Sequence, residues 1–227
     1  MRNNKGFTLV ELAVVLVIIG IILGAVIKGQ DLIVNAKSKQ VGATANNWKA
    51  LVYAFVDRKG RLPGDVNKNG YIGDQTTAIS EQTAATSAIG EMAATGVMNN
   101  VPENPVSVGG ESFYFFLGNN GSATNKKNVM IICANDECDQ TFTADQLQII
   151  QSVDTALDGT ADAGVGQFRA ATTAPTIAPT TPTAVNGKYT AAVTVAAAVN
   201  DTTAGATATW EATTTAKAAV WAFDRPY

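Results

Sequence analysis

The apolar run from Phe7 to Ile27 is the feature of the sequence that most restricts how the chain can fold. It contains one charged residue, Glu11. A helix needs about 20 apolar residues to cross the hydrocarbon core of a membrane, so the run is long enough to span one. A helix that is apolar on all sides must be covered by lipid or by other apolar helices. We therefore predict a transmembrane helix over residues 7–27.

The residues that flank this run indicate its orientation. Arg2 and Lys5 precede it, and positive charge favours keeping that end in the cytoplasm. Lys28, Lys37 and Lys39 follow the run and weaken the charge asymmetry. A secretory signal would have a shorter apolar region and a small-residue cleavage site after it, so cleavage at the end of the run is the weaker interpretation.

Glu11 is unusual within the run because a carboxylate at the centre of a spanning helix costs about 2.5–3.5 kcal/mol. Glu11 lies near the start of the run, where the cost is smaller. Such a residue usually has a partner or a function. A simpler alternative is that its side chain only reaches the lipid headgroups.

The string around this glutamate is Lys5-Gly6-Phe7-Thr8-Leu9-Val10-Glu11-Leu12. It resembles the type III prepilin signal of type IV pilins and type II secretion pseudopilins. The resemblance implies that a prepilin peptidase at the inner membrane cuts after Gly6 and methylates the new amine of Phe7. It also implies that Glu11 meets this amine on a neighbouring subunit during assembly.

The end of the run departs from the family pattern. Many pilins have a proline about 22 residues into the mature helix, and Lys28 stands at that position here, followed by Gly29. We expect the helix to bend at Gly24 or Gly29, or not to bend.

The helix is predicted to continue beyond the membrane to Lys59, because helical spacing returns at Trp48, Leu51, Val52 and Phe55. Gly60 and Pro63 end it. The chain then divides into a leader at 1–6, a transmembrane or filament-core helix at 7–27, an amphipathic continuation at 28–59 and a head at 60–227.

The head is predicted to have an α+β fold with an antiparallel sheet, onto which the long helix packs. Its elements are helices at Ser80–Thr95 and Thr143–Leu157, and strands at Ser112–Leu117, Asn128–Ala134 and Ala218–Phe223. After Ala170 the chain is rich in Ala and Thr. Strands at Lys188–Val195 and Thr207–Thr215 would make this part an edge of the sheet, and a Thr-rich surface carrying O-linked glycans is an alternative.

Cys133 and Cys138 follow a predicted strand. If the head is periplasmic or extracellular, its compartment permits a disulfide between them. Their spacing is not C-x-x-C, which argues against a redox role.

The loop after the long helix carries a possible calcium site. Asp65, Asn67 and Asn69 place side-chain oxygens at alternate positions, and Gly70 permits the turn that brings the Tyr71 carbonyl towards an ion.

Two features limit this prediction. The position of the closing bidentate glutamate of an EF-hand is Thr76, so Asp74 would have to complete the shell. A turn whose Asn and Asp side chains bond to their own backbone explains the same residues without an ion. A bound Ca²⁺ would be weak, with a Kd of about 10⁻⁴–10⁻³ M.

The composition excludes several classes of protein. The chain has no histidine, so it cannot build a Ser-His-Asp or Cys-His nucleophile. A net charge of −3 argues against binding of nucleic acid. We therefore expect a non-enzymatic protein, and a membrane-tethered periplasmic enzyme or binding protein is a remote alternative.

The resemblance implies a structural subunit of a type IV pilus-like filament, with a type II secretion pseudopilin as the alternative. Its expected partners are further copies of itself, prepilin peptidase, an inner-membrane assembly platform and, before assembly, membrane lipid. The expected location is the inner membrane first, and then a cell-surface pilus or a periplasmic pseudopilus.

Overall fold

The computed structural model describes residues 8–72, 88–96, 102–120, 126–171, 183–185, 188–190, 210 and 216–223. The helices are α1 (Leu9–Lys59), α2 (Ala88–Ala94) and α3 (Ala144–Asp158). The strands are β1 (Val106–Val108), β2 (Glu111–Asn119), β3 (Asn128–Cys133), β4 (Phe168–Ala171), β5 (Thr183–Val185), β6 (Lys188–Thr190) and β7 (Ala218–Ala222).

Helix α1 is one continuous helix of 51 residues. At 1.5 Å per residue it is about 77 Å long. It passes through Gly24 and Gly29 without a break, so of the three expectations for the missing proline, an uninterrupted helix is the one observed. It ends at Gly60, whose φ of 69° is the left-handed conformation that glycine adopts most readily.

The two halves of α1 lie in different surroundings. From Thr8 to Lys28 every residue is exposed. In the second half, one side is buried in the head through Ser38, Val41, Ala45, Trp48, Val52 and Phe55. Their spacing of three and four residues is that of one helical face. The predicted amphipathic continuation is therefore confirmed, with Leu51 half-buried at its margin.

A five-stranded antiparallel sheet with the order β1-β2-β3-β7-β4 forms the centre of the head. The predicted strands at β2, β3 and β7 are confirmed. The sequence analysis missed β1 and β4, which have only 3 and 4 residues. The last strand, β7, is not at the edge, because it lies between β3 and β4.

Side chains of the central strands alternate between two buried clusters. One cluster joins the sheet to α1, α2 and α3 and includes Phe113, Phe115 and Met130. The other includes Phe116 and Ile131 and lies on the opposite face. All six residues of β3 are buried, so neither of its faces is open to solvent.

Helix α3 confirms the predicted helix at Thr143–Leu157 and begins with a capping box. The backbone N–H of Gln146 donates to the Thr143 hydroxyl at 3.1 Å, and the backbone N–H of Thr143 donates to the Gln146 side chain at 2.9 Å. The Gln146 amide also donates to the Ser112 carbonyl at 3.1 Å, which ties the start of α3 to β2. Gly159, with a φ of 84°, ends the helix as expected.

The predictions for the Ala/Thr-rich part are only partly met. Strand β5 was not predicted, and it pairs with β6 in a separate two-stranded sheet, so neither strand is an edge of the main sheet. Strand β6 covers Lys188–Thr190 of the predicted Lys188–Val195, and the rest lies outside the described residues. Trp210 is not in a strand, which corrects the prediction of a strand over Thr207–Thr215 at its one described residue. The Pro- and Thr-rich residues 172–182 also lie outside the described residues.

Helix α2 confirms the end of the predicted helix at Ser80–Thr95, whose first part lies outside the described residues. Its Glu91 holds the loop that follows α1. Glu91 forms a two-point ion pair with Arg61 and accepts the Gly64 backbone N–H at 2.8 Å. The Arg61 and Glu91 side chains are only 22% and 14% exposed. The pair therefore fixes how the chain leaves the long helix.

Replacing Glu91 with Ala should destabilise the head, because it removes the two-point ion pair with Arg61 and the acceptor of the Gly64 backbone N–H. The expected cost is about 2 kcal/mol, which corresponds to a fall in Tm of about 4–8 °C for a chain of this size. Thermal unfolding of the full chain in detergent, followed by circular dichroism, measures it. Glu103→Ala, which removes an exposed glutamate, is the control. Equal melting temperatures for the two variants would contradict the assignment.

Candidate functional site

The carboxylate of Glu11 is held at the start of α1 by Thr8. The backbone N–H and the hydroxyl of Thr8 donate to Glu11 Oε2, at 2.8 and 2.9 Å. In return the Glu11 backbone N–H donates to the Thr8 hydroxyl oxygen at 3.3 Å. This is a capping box, and it satisfies two of the N–H groups that a helix leaves unpaired at its start.

The sequence analysis singled out Glu11 but missed the role of Thr8. The signal was present, since a Thr followed three residues later by Glu before an apolar run is the pattern of a capping box. The carboxylate also lies in the first turn, where the helix dipole favours negative charge. Glu11 is therefore a helix-capping residue as well as a candidate for assembly.

The capping box leaves Glu11 able to bind a further group. All three hydrogen bonds use only atoms of Thr8 and Glu11, and both bonds to the carboxylate end on Oε2. No described residue donates to Oε1. An ionised carboxylate can accept about four hydrogen bonds, so Oε1 can still bind a cation. The two predicted processing residues, Gly6 and Phe7, lie outside the described residues.

The site stands on a helix whose apolar surface has no cover within the chain. Of the described helices, α1 alone is long and apolar enough to cross a membrane, and its most apolar window is 0% buried. Leu9 and Ile21 are 86% and 68% exposed. A surface of this kind needs lipid or other apolar helices around it.

The loop predicted to bind calcium forms a compact turn around Asp65, which is 2% exposed. Its two carboxylate oxygens accept the backbone N–H groups of Asn69 and Gly70, both at 2.9 Å. The Asn67 side chain accepts from Asn69 N–H at 3.0 Å, and the Asn69 side chain accepts from Tyr71 N–H at 2.9 Å. These bonds are those of the turn that needs no ion.

The same loop is tied to the sheet by two asparagines. Asn128 accepts from the Ile72 backbone N–H at 2.8 Å and donates to the Gly70 carbonyl at 3.0 Å. Asn119 donates to the Ile72 carbonyl at 2.7 Å. Since the protein itself holds the loop in place, an ion is not needed to fold it.

The donor set is compatible with an ion, because an oxygen that accepts one N–H keeps a second lone pair. The fourth side-chain ligand that the sequence suggests, Asp74, lies outside the described residues. The described residues contain no group of three carboxylate or thiolate side chains that could hold a metal. Calcium therefore stays a prediction.

The predicted disulfide between Cys133 and Cys138 is formed, with their Cα atoms 5.1 Å apart. Cys133 is the last residue of β3, and both cysteines are buried in the second cluster. The bond closes a short loop at the end of a central strand. It is a structural feature of the head.

Comparison with known protein families gives one match, at the N-terminus. Residues 1–27 match the family model described as the prokaryotic N-terminal methylation motif. No curated protein and no solved structure matches the chain. The matched residues contain Gly6, Phe7 and Glu11 and end where the apolar run ends.

The motif identifies a precursor that prepilin peptidase processes, and the apolar helix that follows it indicates anchoring in the inner membrane before assembly. Proteins with this motif are typically structural subunits. The motif, together with a long apolar helix packed onto an α+β head, identifies the chain as a type IV pilin-like protein, a group that includes the pseudopilins.

Proposed function

We propose that the protein is a structural subunit of a type IV pilus-like filament that polymerises through α1 after cleavage behind Gly6 and methylation of Phe7. The observation that supports this most is the contrast between the two halves of α1. One side of the second half is buried in the head, while the first half is exposed from Thr8 to Lys28. The exposed half is the part available for contacts between subunits.

The exchange of lipid for other subunits is physically reasonable for such a helix. Lipid tails and aliphatic side chains are about equally apolar, so moving the helix from the bilayer into a bundle of identical helices needs little energy. Packing and polar contacts must then select the arrangement of the subunits. In the exposed half, Glu11 is the one charged side chain before Lys28 that can select it.

Glu11 is suited to this selection because its carboxylate is already oriented. Thr8 holds Oε2, and Oε1 can accept a cation from a neighbouring subunit. Cleavage after Gly6 breaks none of the capping bonds and creates an amine on Phe7, next to the capping residue. In an apolar bundle, an ionised carboxylate and an ammonium group are stabilised strongly by pairing.

The first test concerns processing. Mass spectrometry of the protein from assembled filaments should give a chain that begins at Phe7 and is heavier by one methyl group. The physical reason is that cleavage leaves an amine on Phe7, beside the capping residue Thr8, and this amine can supply the cation for Glu11. A filament subunit that still carries Met1, or one cut behind Ile27, would contradict the proposal.

The second test concerns Glu11. Replacement with Val should leave membrane insertion intact, because the helix becomes more apolar, while filament formation falls sharply. A charge-assisted hydrogen bond contributes about 1.5–3 kcal/mol, so each subunit addition should weaken roughly tenfold or more. Asp and Gln should give intermediate yields. The effect is measured as the amount of protein that sediments as sheared filaments relative to the amount that stays in the membrane.

Variants of Thr8 provide the matched control for this test. Thr8→Val has the same shape but lacks the hydroxyl that makes two of the three capping bonds. Thr8→Ser keeps them and should assemble like the unaltered protein, while Val should reduce assembly. If Glu11→Val subunits form filaments in normal yield without any unaltered subunits, the carboxylate does not select the arrangement of the subunits.

A type II secretion pseudopilin is the alternative within the same group, and it uses the same helix chemistry. The two differ in the location of the filament, because a pilus extends from the cell surface and a pseudopilus stays in the periplasm. Immunogold labelling of intact cells should decorate a surface pilus and should leave a periplasmic pseudopilus unlabelled. A membrane-tethered enzyme or binding protein is the remaining alternative, and it predicts that Glu11→Val has no effect on function.

We also propose that the loop at Asp65 binds Ca²⁺ weakly, through Asp65, Asn67, Asn69, the Tyr71 carbonyl and Asp74. Two observations support this proposal. Side-chain oxygens alternate along the loop, and hydrogen bonds from the sheet residues Asn128 and Asn119 hold the loop in place. Pre-ordering of the loop lowers the entropy that binding must overcome. With two carboxylates the Kd should be about 10⁻⁴–10⁻³ M.

This proposal predicts a calcium-dependent melting temperature. At about 5 mM Ca²⁺, mass action should stabilise the folded chain by about 1–2 kcal/mol and raise Tm by about 2–8 °C. Asp65→Asn keeps an acceptor oxygen for one of the two loop N–H groups, replaces the other oxygen with an NH2 group and removes the charge, so it should abolish the rise. Mg²⁺ at the same concentration is the control ion, because it prefers a smaller octahedral site. Identical melting curves in Ca²⁺ and in chelator would contradict the calcium proposal, and the loop would then be a turn that binds no ion.

A further inference from the structure

Trp210 is packed onto α3 although it stands between two parts of the Ala/Thr-rich chain, 191–209 and 211–215, that lie outside the described residues. The side chain is 1% exposed and lies against Phe168, with the ring centres 5.8 Å apart. Its backbone carbonyl accepts a hydrogen bond from the Gln151 side chain. Trp210 therefore attaches this part of the chain to the head.

The indole of Trp210 donates to a buried carboxyl group. Trp210 Nε1 lies 2.7 Å from Asp154 Oδ2, and Asp154 is 0% exposed. The second oxygen, Oδ1, has no hydrogen-bond partner among the described residues. A buried carboxylate normally has its charge balanced by several donors or a cation. Here the described side chain that donates to it, the Trp210 indole, is neutral.

The charged groups around Asp154 make ionisation still less favourable. Asp158 follows it by one turn on α3, and Asp162 lies in the loop after the helix. On β4, the Arg169 side chain donates to the Gly166 carbonyl at 2.8 Å. On α1, Lys39 lines a cleft together with Val153 of α3. The charges that shift the pKa of Asp154 are those of Asp158 and Asp162. The nearby charges that act on Asp154 are therefore negative.

Burial raises the pKa of Asp154 to about 7 and is the largest cause. The hydrogen bond from Trp210 lowers the pKa, and repulsion from Asp158 and Asp162 raises it again. The Asp162 backbone N–H also lowers the pKa. The loss of hydration outweighs both donors.

We propose that Asp154, Gln151 and Trp210 form a proton-dependent latch, which is closed while Asp154 is a neutral acid and loosens when Asp154 ionises. In the closed form Oδ2 is the carbonyl oxygen that accepts from the indole, and the proton is on Oδ1. The ionised form favours any conformation in which water reaches the carboxylate. Trp210 covers that carboxylate, so its displacement is the route by which water enters.

The direction of the pH effect follows from the raised pKa. The folded chain keeps the proton on Asp154 at pH values where an unfolded or opened chain, with an ordinary pKa of 3.8, has lost it. The stabilisation is therefore complete below about pH 4 and is lost as the pH rises to about 7. The latch should be closed in mildly acidic surroundings and should open more often in alkaline ones.

Hydrogen exchange of the three tryptophan indole N–H groups tests this, in full-length ¹⁵N-tryptophan-labelled protein in detergent micelles. Asp154→Asn is the matched variant, because its side-chain oxygen still accepts from the indole and it does not titrate. The rate for Trp210 in the unaltered protein, divided by the rate in Asp154→Asn, should rise roughly tenfold or more between pH 5.5 and pH 8. Dividing by the variant removes the ordinary base catalysis of exchange.

Trp48 and Trp221 are internal controls, since both are buried in the same core while the indole that donates to Asp154 is that of Trp210. Their ratios should stay nearly constant. Asp158→Asn should make the rise for Trp210 smaller and complete it at lower pH, because removal of this neighbouring charge lowers the pKa of Asp154 towards its value in the opened chain. A constant ratio for Trp210 would overturn the proposal, and so would an equal rise at all three tryptophans, which would mean general destabilisation.

Discussion

Trp48, Val52 and Phe55 bury one side of α1 in the head, and this contact determines how the rest of the molecule is arranged. The same helix continues without a break into a part with no cover of its own. Burial of apolar surface, at roughly 25 cal/mol per Å², is the dominant favourable term in folding. The apolar surface of one half of α1 is buried within the chain. The apolar surface of the other half can be buried only against an outside partner.

The sheet and the short helices can be understood as support for this contact. Strands β2 and β3 supply large side chains such as Phe113, Phe115 and Met130 to the cluster that receives α1. The capping box at Thr143 and the bond from Gln146 to β2 position α3 beside them. The ion pair of Arg61 and Glu91 then fixes the chain as it leaves the helix.

The parts of the fold that could be predicted from sequence are those with a strong local signal. The apolar run, the caps at Thr143 and Gly159 and the dense apolar strands β2 and β3 all combine pattern with local chemistry. Strands β1 and β4 were missed because three or four residues carry too little periodicity. The central position of β7 depends on pairing between distant residues, which local pattern does not contain.

The same reasoning applies to the sites. Glu11 stood out because a charge in an apolar run is costly, while Thr8 was overlooked although its spacing to Glu11 was visible. Asp154 could not be found from sequence, since an aspartate on an amphipathic helix is normally exposed and its burial depends on Trp210, far along the chain.

The continuity of α1 has a mechanical consequence for the proposed filament. In that filament, a single helix about 77 Å long would begin at the subunit contacts and end against the head, with no break at Lys28, where many pilins have a proline. Tension along the fibre axis would pass along the helix as along a rod. At the head, this tension would act as a shear force on the buried side chains of α1 from Ser38 to Phe55. The strength of a fibre would therefore depend on how firmly these side chains are packed into the head of their own subunit.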